Sequence, residues 1–416
     1  MENKYEKPSK MWYRIILAVS GCLLIIIGVI RIASLNPTAT GIKLDFYTYY
    51  RNARLIIEHQ SIYSTQYANI QTPFTILLFV PLAFLPMQEA ALIWTMITIV
   101  AYLALGMIIY KAQGFILTIE WRILLLGISL CWYPFLIHIA MGQINIVICL
   151  LIVAGWVLIR KNHDILAGVM VGLAFIIKIF PAIFIFYLLI RKRWLALVVT
   201  VFTIVTGLFF TGLLVGFGEI LNFYMRVLTQ DSKEWFAYPL NLSPTSTIYM
   251  LFTDNRWVYP IINARVIAGI FVLILDISMA IILLSKFITL PKTILGDDIA
   301  YGVGIIAMLL ITPITWQHIF PILLLPLSIL FKSYLDHQNV HHRNQALLSF
   351  LLLSLPGGEI VLIITGITQL AKIPWYLALP IQLPLLGVII LMVSLINYKP
   401  IASPIIPNNP IVATRP

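Results

Sequence analysis

Long apolar runs recur along the whole chain, and they limit its fold more than any other feature. Many of them reach the roughly 20 apolar residues that an α-helix needs to cross a bilayer. Charged residues make up only 10% of the 416-residue sequence, whereas a typical soluble domain has about 25%. The sequence therefore predicts an all-α, polytopic transmembrane helical bundle with about 12 spans.

Basic residues between the apolar runs set the predicted orientation. The first run, residues 12–32, follows Lys4, Lys7 and Lys10 and has no small-residue cleavage site, which favours a retained anchor with a cytoplasmic amino terminus. Residues 73–86 are apolar but short and are interrupted by Pro81, so we expect a segment that dips into the membrane and returns.

This topology predicts the organisation of the chain. Residues 33–71 and 217–265 form two long external loops that carry amphipathic helices. Residues 1–398 form a single transmembrane domain in the plasma membrane. The proline-rich residues 399–416 form a disordered cytoplasmic tail, so both termini lie in the cytoplasm.

Several chemistries lack support in the sequence. The net charge of +11 comes from basic residues between spans, so we expect no nucleic acid partner. The three cysteines lie inside apolar runs and are expected to pack as small core residues. A solvated loop explains the cluster of His337, His341 and His342 better than a closed metal site does. We therefore expect no metal site, no obligatory metal ion and no other cofactor.

Four polar clusters fall on the external side of the predicted topology, and their convergence points to a site there. They are Asp45 with Arg51 and Arg54; Gln143 with Asn145; Lys178; and Trp316 with Gln317 and His318. Lys178 lies in an apolar run, where a cation is costly unless it reaches the interface or meets an anion. This position favours a ligand-phosphate role for Lys178.

The other clusters have structural alternatives. The helical spacing of Phe46, Tyr49 and Tyr50 predicts an amphipathic helix at the membrane surface, and Asp45 could simply cap its amino end. Tyr49 could be an interface aromatic or a sugar-stacking ring. Gln143 and Asn145 could bind substrate or satisfy backbone groups at a hairpin tip. His318 could be a functional group or a hydrogen-bonded structural residue.

Several motifs resemble a known family when they are taken together and in order. They are "GQINIVICLL", "LAGVMVGLAFIIKIFP", "NLSPTS" and "TPITWQHIFPILLLPLSIL". In order and spacing the chain resembles glycosyltransferase family 87 over about residues 45–330. These are membrane enzymes of the GT-C superfamily, similar to polyprenol-phosphate-mannose-dependent mannosyltransferases of bacterial envelopes.

The resemblance implies roles for individual residues. Asp45 matches the catalytic aspartate, Lys178 the lysine near the lipid phosphate, and His318 the histidine of a later external tip. Arg51 and Arg54 join Lys178 and His318 as predicted donor-phosphate ligands. The predicted substrate pocket is lined by Tyr49, Gln143, Asn145, Asn241, Trp316 and Gln317. The chain departs from the family pattern at 59–63, which lacks a glycine, and at 71–74, where a Tyr-Pro-Pro-like stretch is replaced.

The resemblance implies transfer of a sugar from a polyprenyl phosphate to a hydroxyl group of a lipid or glycan acceptor at the outer face. Mannose is the sugar that it favours. Asp45 would act as general base in an inverting displacement. The expected partners are the lipid-linked donor, the acceptor and membrane lipids. Two alternatives stay open: a secondary transporter or flippase for a lipid-linked or anionic sugar, and a catalytically silent scaffold that binds polyprenyl lipids.

Overall fold

A computed structural model describes residues 8–35, 44–63, 70–357 and 372–398. The predicted tail, residues 399–416, lies outside the described residues. Helices dominate the described part of the chain, which confirms the predicted all-α polytopic membrane bundle.

The helices follow one another with short connections. The first ten are α1 (Pro8–Ser34), α2 (Leu44–Ile57), α3 (Pro73–Ala83), α4 (Met87–Ala112), α5 (Ile119–Leu130), α6 (Tyr133–Met141), α7 (Asn145–Arg160), α8 (Asp164–Ile177), α9 (Ile183–Ile190) and α10 (Trp194–Val215). The later helices are α11 (Phe217–Asn222), α12 (Pro244–Phe252), α13 (Arg265–Thr289), α14 (Ile294–Ile311), α15 (Leu324–His337), α16 (Val340–Leu353), α17 (Trp375–Ala378) and α18 (Leu383–Ile396). Two short strands, β1 (Val258–Tyr259) and β2 (Ile373–Pro374), pair in parallel.

Among the described residues, seven helices are long and apolar enough to cross a bilayer, and the bent pair of α5 and α6 makes an eighth. The predicted total of about 12 spans also counts α7, α8, α9 and α16, and it stays a prediction. Helix α3 has 11 residues and is about 16 Å long at 1.5 Å per residue. This is roughly half of the hydrocarbon thickness, so its length suits the predicted dip.

Helix α2 packs into the bundle, which differs from the predicted surface helix. Its Tyr49 ring is completely buried and stacks on Phe79 of α3 with ring centres 4.5 Å apart. The polar side chain of Asn52, three positions after Tyr49, is only 2% exposed. The helical spacing identified the apolar face correctly. This face packs against other helices of the protein, whereas the prediction placed it against lipid headgroups.

Glycines allow the closest helix contacts. A Cβ on Gly21 of α1 would lie 2.7 Å from the Leu124 amide nitrogen, and one on Gly127 of α5 would lie 2.6 Å from the Gly21 carbonyl oxygen. Small residues of this kind let membrane helices approach backbone to backbone. Helix α1 is therefore fixed against α5 at the edge of the bundle.

Candidate active site

The tip between α6 and α7 forms the centre of the site. Helix α6 ends at Gly142, which adopts a left-handed conformation (φ 67°) that glycine takes without a Cβ clash. The Gly142 amide donates to the His138 carbonyl oxygen (3.0 Å), and its own carbonyl accepts from Trp94 Nε1 (2.9 Å). The backbone of the tip is thus held in place from both sides.

Gln143, the next residue of the tip, holds Asp45. Gln143 Nε2 donates to Asp45 Oδ2 at 2.7 Å, and the Tyr49 hydroxyl donates to Gln143 Oε1 at 2.8 Å. These two bonds fix which end of the amide faces the carboxylate. The Asp45 carboxylate, in the first turn of α2, therefore makes a long-range contact that a simple helix cap does not require.

The surroundings of Asp45 change its proton affinity. Burial raises the pKa of the Asp45 carboxyl above its ordinary value, while the Gln143 hydrogen bond and the positive charge of Lys178 act in the opposite direction. A carboxyl whose pKa lies closer to working pH is a better general base than an ordinary surface aspartate.

Lys178 occupies a break between two helices. Helix α8 ends at Ile177, Lys178 is extended (φ −148°, ψ 145°), and a short turn containing Pro181 follows. Lys178 Nζ donates at 2.9 Å to Oδ1 of Asn145, which lies in the first turn of α7. The same tip thus supplies partners for both the carboxylate and the cation.

Two threonines that the sequence did not single out support this break. Thr75 Oγ1 donates to the Ile177 carbonyl oxygen (2.6 Å), and Thr72 Oγ1 lies 2.9 Å from the Ile176 carbonyl oxygen. Thr72 also caps α3 by accepting from the Thr75 amide. Carbonyls freed at a helix end inside a membrane protein need such partners. The proline-containing break after Ile177 was the signal that could have prompted a search for them.

A cavity of about 800 Å³ opens beside Lys178. It continues along α9 as far as Ile190 and along α13 from Ala280 to Phe287. Lys178 is the one charged residue among its described lining residues, and most of the others are apolar. Two lining side chains, Phe186 and Leu284, are 60% and 50% exposed, so the cavity opens sideways through the helix bundle.

His318 lies on the turn Gln317–Leu323, close enough to Lys178 for an electrostatic interaction. His138 Nδ1 donates to the His318 carbonyl oxygen at 3.0 Å. The His318 Nε2 atom is buried and has no hydrogen-bond partner among the described residues. A buried imidazole nitrogen in this position is suited to a polar ligand atom.

The remaining residues predicted to line the pocket divide into two groups. Trp316 lines the cavity. Asn241, by contrast, uses its side chain on backbone groups: Nδ2 donates to the Pro313 carbonyl oxygen (2.8 Å) and Oδ1 accepts from the Thr315 amide (2.9 Å). Gln317 Nε2 donates to the carbonyl oxygens of Leu353 (2.9 Å) and Leu355 (2.6 Å). Asn241 and Gln317 therefore hold the loops that surround the cavity.

The two predicted arginine ligands lie on the turns after Asp45. Arg54 is exposed and pairs with Glu58 one turn further on, at 3.6 Å. Arg51 is partly buried, and neither arginine lines the cavity. In the described part of the chain, no group of three or more His, Cys, Asp or Glu side chains is placed to hold a metal ion.

Comparison with known proteins gives one match. The sequence model of glycosyltransferase family 87 matches residues 70–313, more than half of the chain. This range contains Gln143, Asn145 and Lys178, whereas Asp45 and His318 lie on either side of it. No curated protein and no solved structure matches the chain. The chain belongs to glycosyltransferase family 87 and is a multi-pass membrane glycosyltransferase.

Proposed function

We propose that the protein transfers a sugar from a polyprenyl phosphate to an acceptor hydroxyl at the outer face of the plasma membrane. The sequence resemblance favours mannose as that sugar. The observation that carries the proposal is the position of Lys178, a partly buried cation at the polar end of a large apolar cavity. The arrangement matches a ligand with one anionic group and a long hydrocarbon chain.

The cavity suits such a donor in both size and composition. About 800 Å³ is within the usual range of ligand pockets, roughly 300 to 1,000 Å³. The isoprenoid chain would lie along α9 and α13 and leave sideways between Phe186 and Leu284 into the bilayer. The phosphate would pair with the Lys178 ammonium. Each charge would then have an opposite charge beside it in a cavity that is mostly apolar.

The reaction is a direct displacement at the anomeric carbon. Asp45 accepts the proton of the acceptor hydroxyl as its oxygen bonds to the anomeric carbon, and the bond from that carbon to the phosphate oxygen breaks. The electron pair stays on the departing polyprenyl phosphate, where Lys178 stabilises the negative charge, assisted by His318. The configuration of the anomeric carbon is inverted.

Side chains supply the charges that this reaction needs. Phosphate is a good leaving group, so the proposal requires no separate general acid. Lys178 is assigned the electrostatic role that a divalent metal ion has in other phosphate-binding enzymes. Because Arg54 is exposed and paired with Glu58, the proposal rests on Lys178 and His318 more than on the arginines.

The placement at the outer face rests on charge distribution. Basic residues predicted to lie inside include Lys111, Arg160 and Arg193. Arg160 is the last residue of α7, and Asn145 of the site is the first residue of the same helix. Cytoplasmic loops of membrane proteins carry such an excess of Lys and Arg. With span α1 starting inside, Asp45 falls on the opposite side.

The donor class can be tested directly. Protein in nanodiscs is given a membrane lipid extract and either polyprenyl-phosphate-mannose or a nucleotide sugar, each labelled in the sugar. We expect new labelled glycosides from the lipid-linked donor alone. Label transferred from the nucleotide sugar would contradict the proposal. Movement of the lipid-linked sugar across the bilayer with no new glycosidic bond would instead support a flippase.

A further inference from the structure

A cluster of four aromatic rings continues outward from the cavity wall. Tyr238 lies at its centre, with ring centres 4.8 Å from Trp257, 5.4 Å from Trp235 and 5.6 Å from Trp316. All three contacts are edge-to-face, and each of the four side chains is partly exposed. Trp316 belongs to both the cluster and the cavity lining. The Trp316 ring centre lies 6.3 Å from that of His318, which interacts with Lys178, so the cluster adjoins the polar end of the cavity.

The rings are held in fixed positions by their backbone. Asn255 Oδ1 accepts from the amides of Trp257 (2.9 Å) and Val258 (2.8 Å), and strand β1 pairs with β2 immediately afterwards. Asn241 Nδ2 donates to the Trp235 carbonyl oxygen at 3.0 Å. Rigid aromatic side chains bind with a small loss of conformational entropy, so this arrangement is suited to binding.

Two ion pairs lie beside the cluster. Arg256 pairs with Glu234 and lies over the Trp257 ring, with its guanidinium carbon 4.2 Å from the ring centre. Lys372 Nζ lies 2.6 Å from Asp254 Oδ1. An anionic headgroup would favour unpaired cations, as at a phosphate site. A balanced rim of donors and acceptors fits a neutral ligand with many hydroxyl groups.

From these features we propose that the cluster of Trp235, Tyr238, Trp257 and Trp316 binds the acceptor, and that the acceptor carries a neutral sugar ring. The C–H face of a pyranose would pack against the partly exposed rings of the cluster, while Arg256 and Glu234 bond its hydroxyl groups. The shared residue Trp316 then brings an acceptor hydroxyl towards the donor sugar. This inference rests on the proposed transfer reaction and names the class of its second substrate.

Binding can be measured without catalysis. Saturation-transfer difference NMR of the nanodisc-embedded protein uses water-soluble methyl α-D-mannopyranoside, with the methyl glycosides of glucose and galactose in parallel. We expect saturation of sugar-ring protons with at least one of them. We also expect Trp257→Leu to remove most of the signal and Trp257→Phe to retain part of it. Trp375→Leu is the matched control, because Trp375 is partly buried near Val258 but lies outside the cluster.

Kinetics provide the second measurement, with octyl α-D-mannopyranoside as acceptor and labelled polyprenyl-phosphate-mannose as donor. We expect Trp257→Leu to raise the KM for the acceptor about two- to tenfold, the effect of losing one good aromatic contact. The KM for the donor should be unchanged. If Trp257→Leu does not fold, Trp235→Leu carries the same test.

The outcomes separate this inference from the proposed function. If the wild-type protein binds none of the three methyl glycosides, or if Trp257→Leu binds and transfers as Trp375→Leu does, the cluster is structural and the inference is wrong. Sugar binding that depends on Trp257, together with no transfer from the lipid-linked donor, would support the binding site and contradict the proposed reaction.

Discussion

Gln143 and Asn145 lie two positions apart on one hairpin tip, and they hold the two charged groups of the site. Gln143 Nε2 donates to Asp45 Oδ2 at 2.7 Å, and Asn145 Oδ1 accepts from Lys178 Nζ at 2.9 Å. The separation of carboxylate and ammonium is therefore set by a rigid backbone segment that Gly142 and Trp94 fix. A site that positions an acceptor hydroxyl and a leaving phosphate together needs such an arrangement.

Replacing Gln143 by leucine should change the pH dependence of transfer. The Gln143 hydrogen bond lowers the pKa of Asp45, so its loss should raise that pKa further above the ordinary value. The proposed base must be ionised, and activity is lost as the pH falls through its pKa. We therefore expect the acid limb of the kcat/KM profile to move to higher pH.

The control for this change is Gln113→Leu, since Gln113 is also buried but bonds Ser328 elsewhere in the bundle. Its acid limb should match that of the wild-type protein. An unchanged acid limb in the Gln143→Leu protein would show that Asp45 does not titrate in the reaction.

Replacing Lys178 by alanine should weaken binding of the lipid-linked donor. Loss of the charge that faces the phosphate leaves the anion without compensation in an apolar cavity, and such losses cost at least about tenfold in affinity. We expect donor KM to rise by about 10- to 100-fold, and Lys178→Arg to recover part of this loss. Lys192, which is exposed, supplies the control variant Lys192→Ala. If Lys178→Ala and Lys178→Arg had the same donor KM as Lys192→Ala, Lys178 would not be a phosphate ligand.

The threonines at the helix break should affect both stability and donor binding. Thr72→Val and Thr75→Val each remove a hydroxyl that serves the carbonyls of α8, and an unsatisfied buried carbonyl costs about 1 to 3 kcal/mol. The backbone before Lys178 should then loosen, so we expect a lower thermal midpoint in detergent together with a higher donor KM.

Thr211→Val is the matched control for these variants. Thr211 is equally buried, but its hydroxyl bonds the Gly207 carbonyl one turn earlier in its own helix. Its loss should lower the thermal midpoint less and leave donor KM unchanged. A Thr75→Val protein with wild-type stability and kinetics would show that the hydroxyl does not support the break.

Asn241→Leu and Gln317→Leu should act on stability more than on substrate binding. Both amides bond backbone carbonyls, and Asn241 also accepts from two backbone amides. Leaving these groups unpaired should lower the thermal midpoint, while donor KM of the folded protein stays near the wild-type value. A raised KM with an unchanged midpoint would instead place the amides in the substrate pocket.

The sequence was sufficient to predict the all-α membrane bundle. A membrane-spanning chain must satisfy its backbone within helices, so long apolar runs translate almost directly into elements. Lys178 stood out for the same reason, because a cation in an apolar run needs an explanation. The structure places Lys178, Asp45 and the tip of Gln143 and Asn145 in one cluster.

The partners of individual polar side chains could not be predicted in the same way. Helical spacing showed that α2 has an apolar face, but it could not show that Phe79 covers Tyr49 where lipid was expected. The roles of Thr75 and Asn241 depend on carbonyls about 70 to 100 positions away in the sequence. Such contacts follow from tertiary packing, and local sequence patterns contain no record of them.

The most direct test of the account is the rate of transfer by Asp45→Asn. Asparagine keeps the size of the side chain and an oxygen that can accept from Gln143, but it cannot take up the proton of an acceptor hydroxyl. Protein in nanodiscs is incubated with labelled polyprenyl-phosphate-mannose and a membrane lipid extract, and label in new glycosides is followed with time. We predict an initial rate at least about 100-fold below that of the wild-type protein, with donor binding retained. Equal rates of transfer by the two proteins would contradict the assignment of Asp45 as the base.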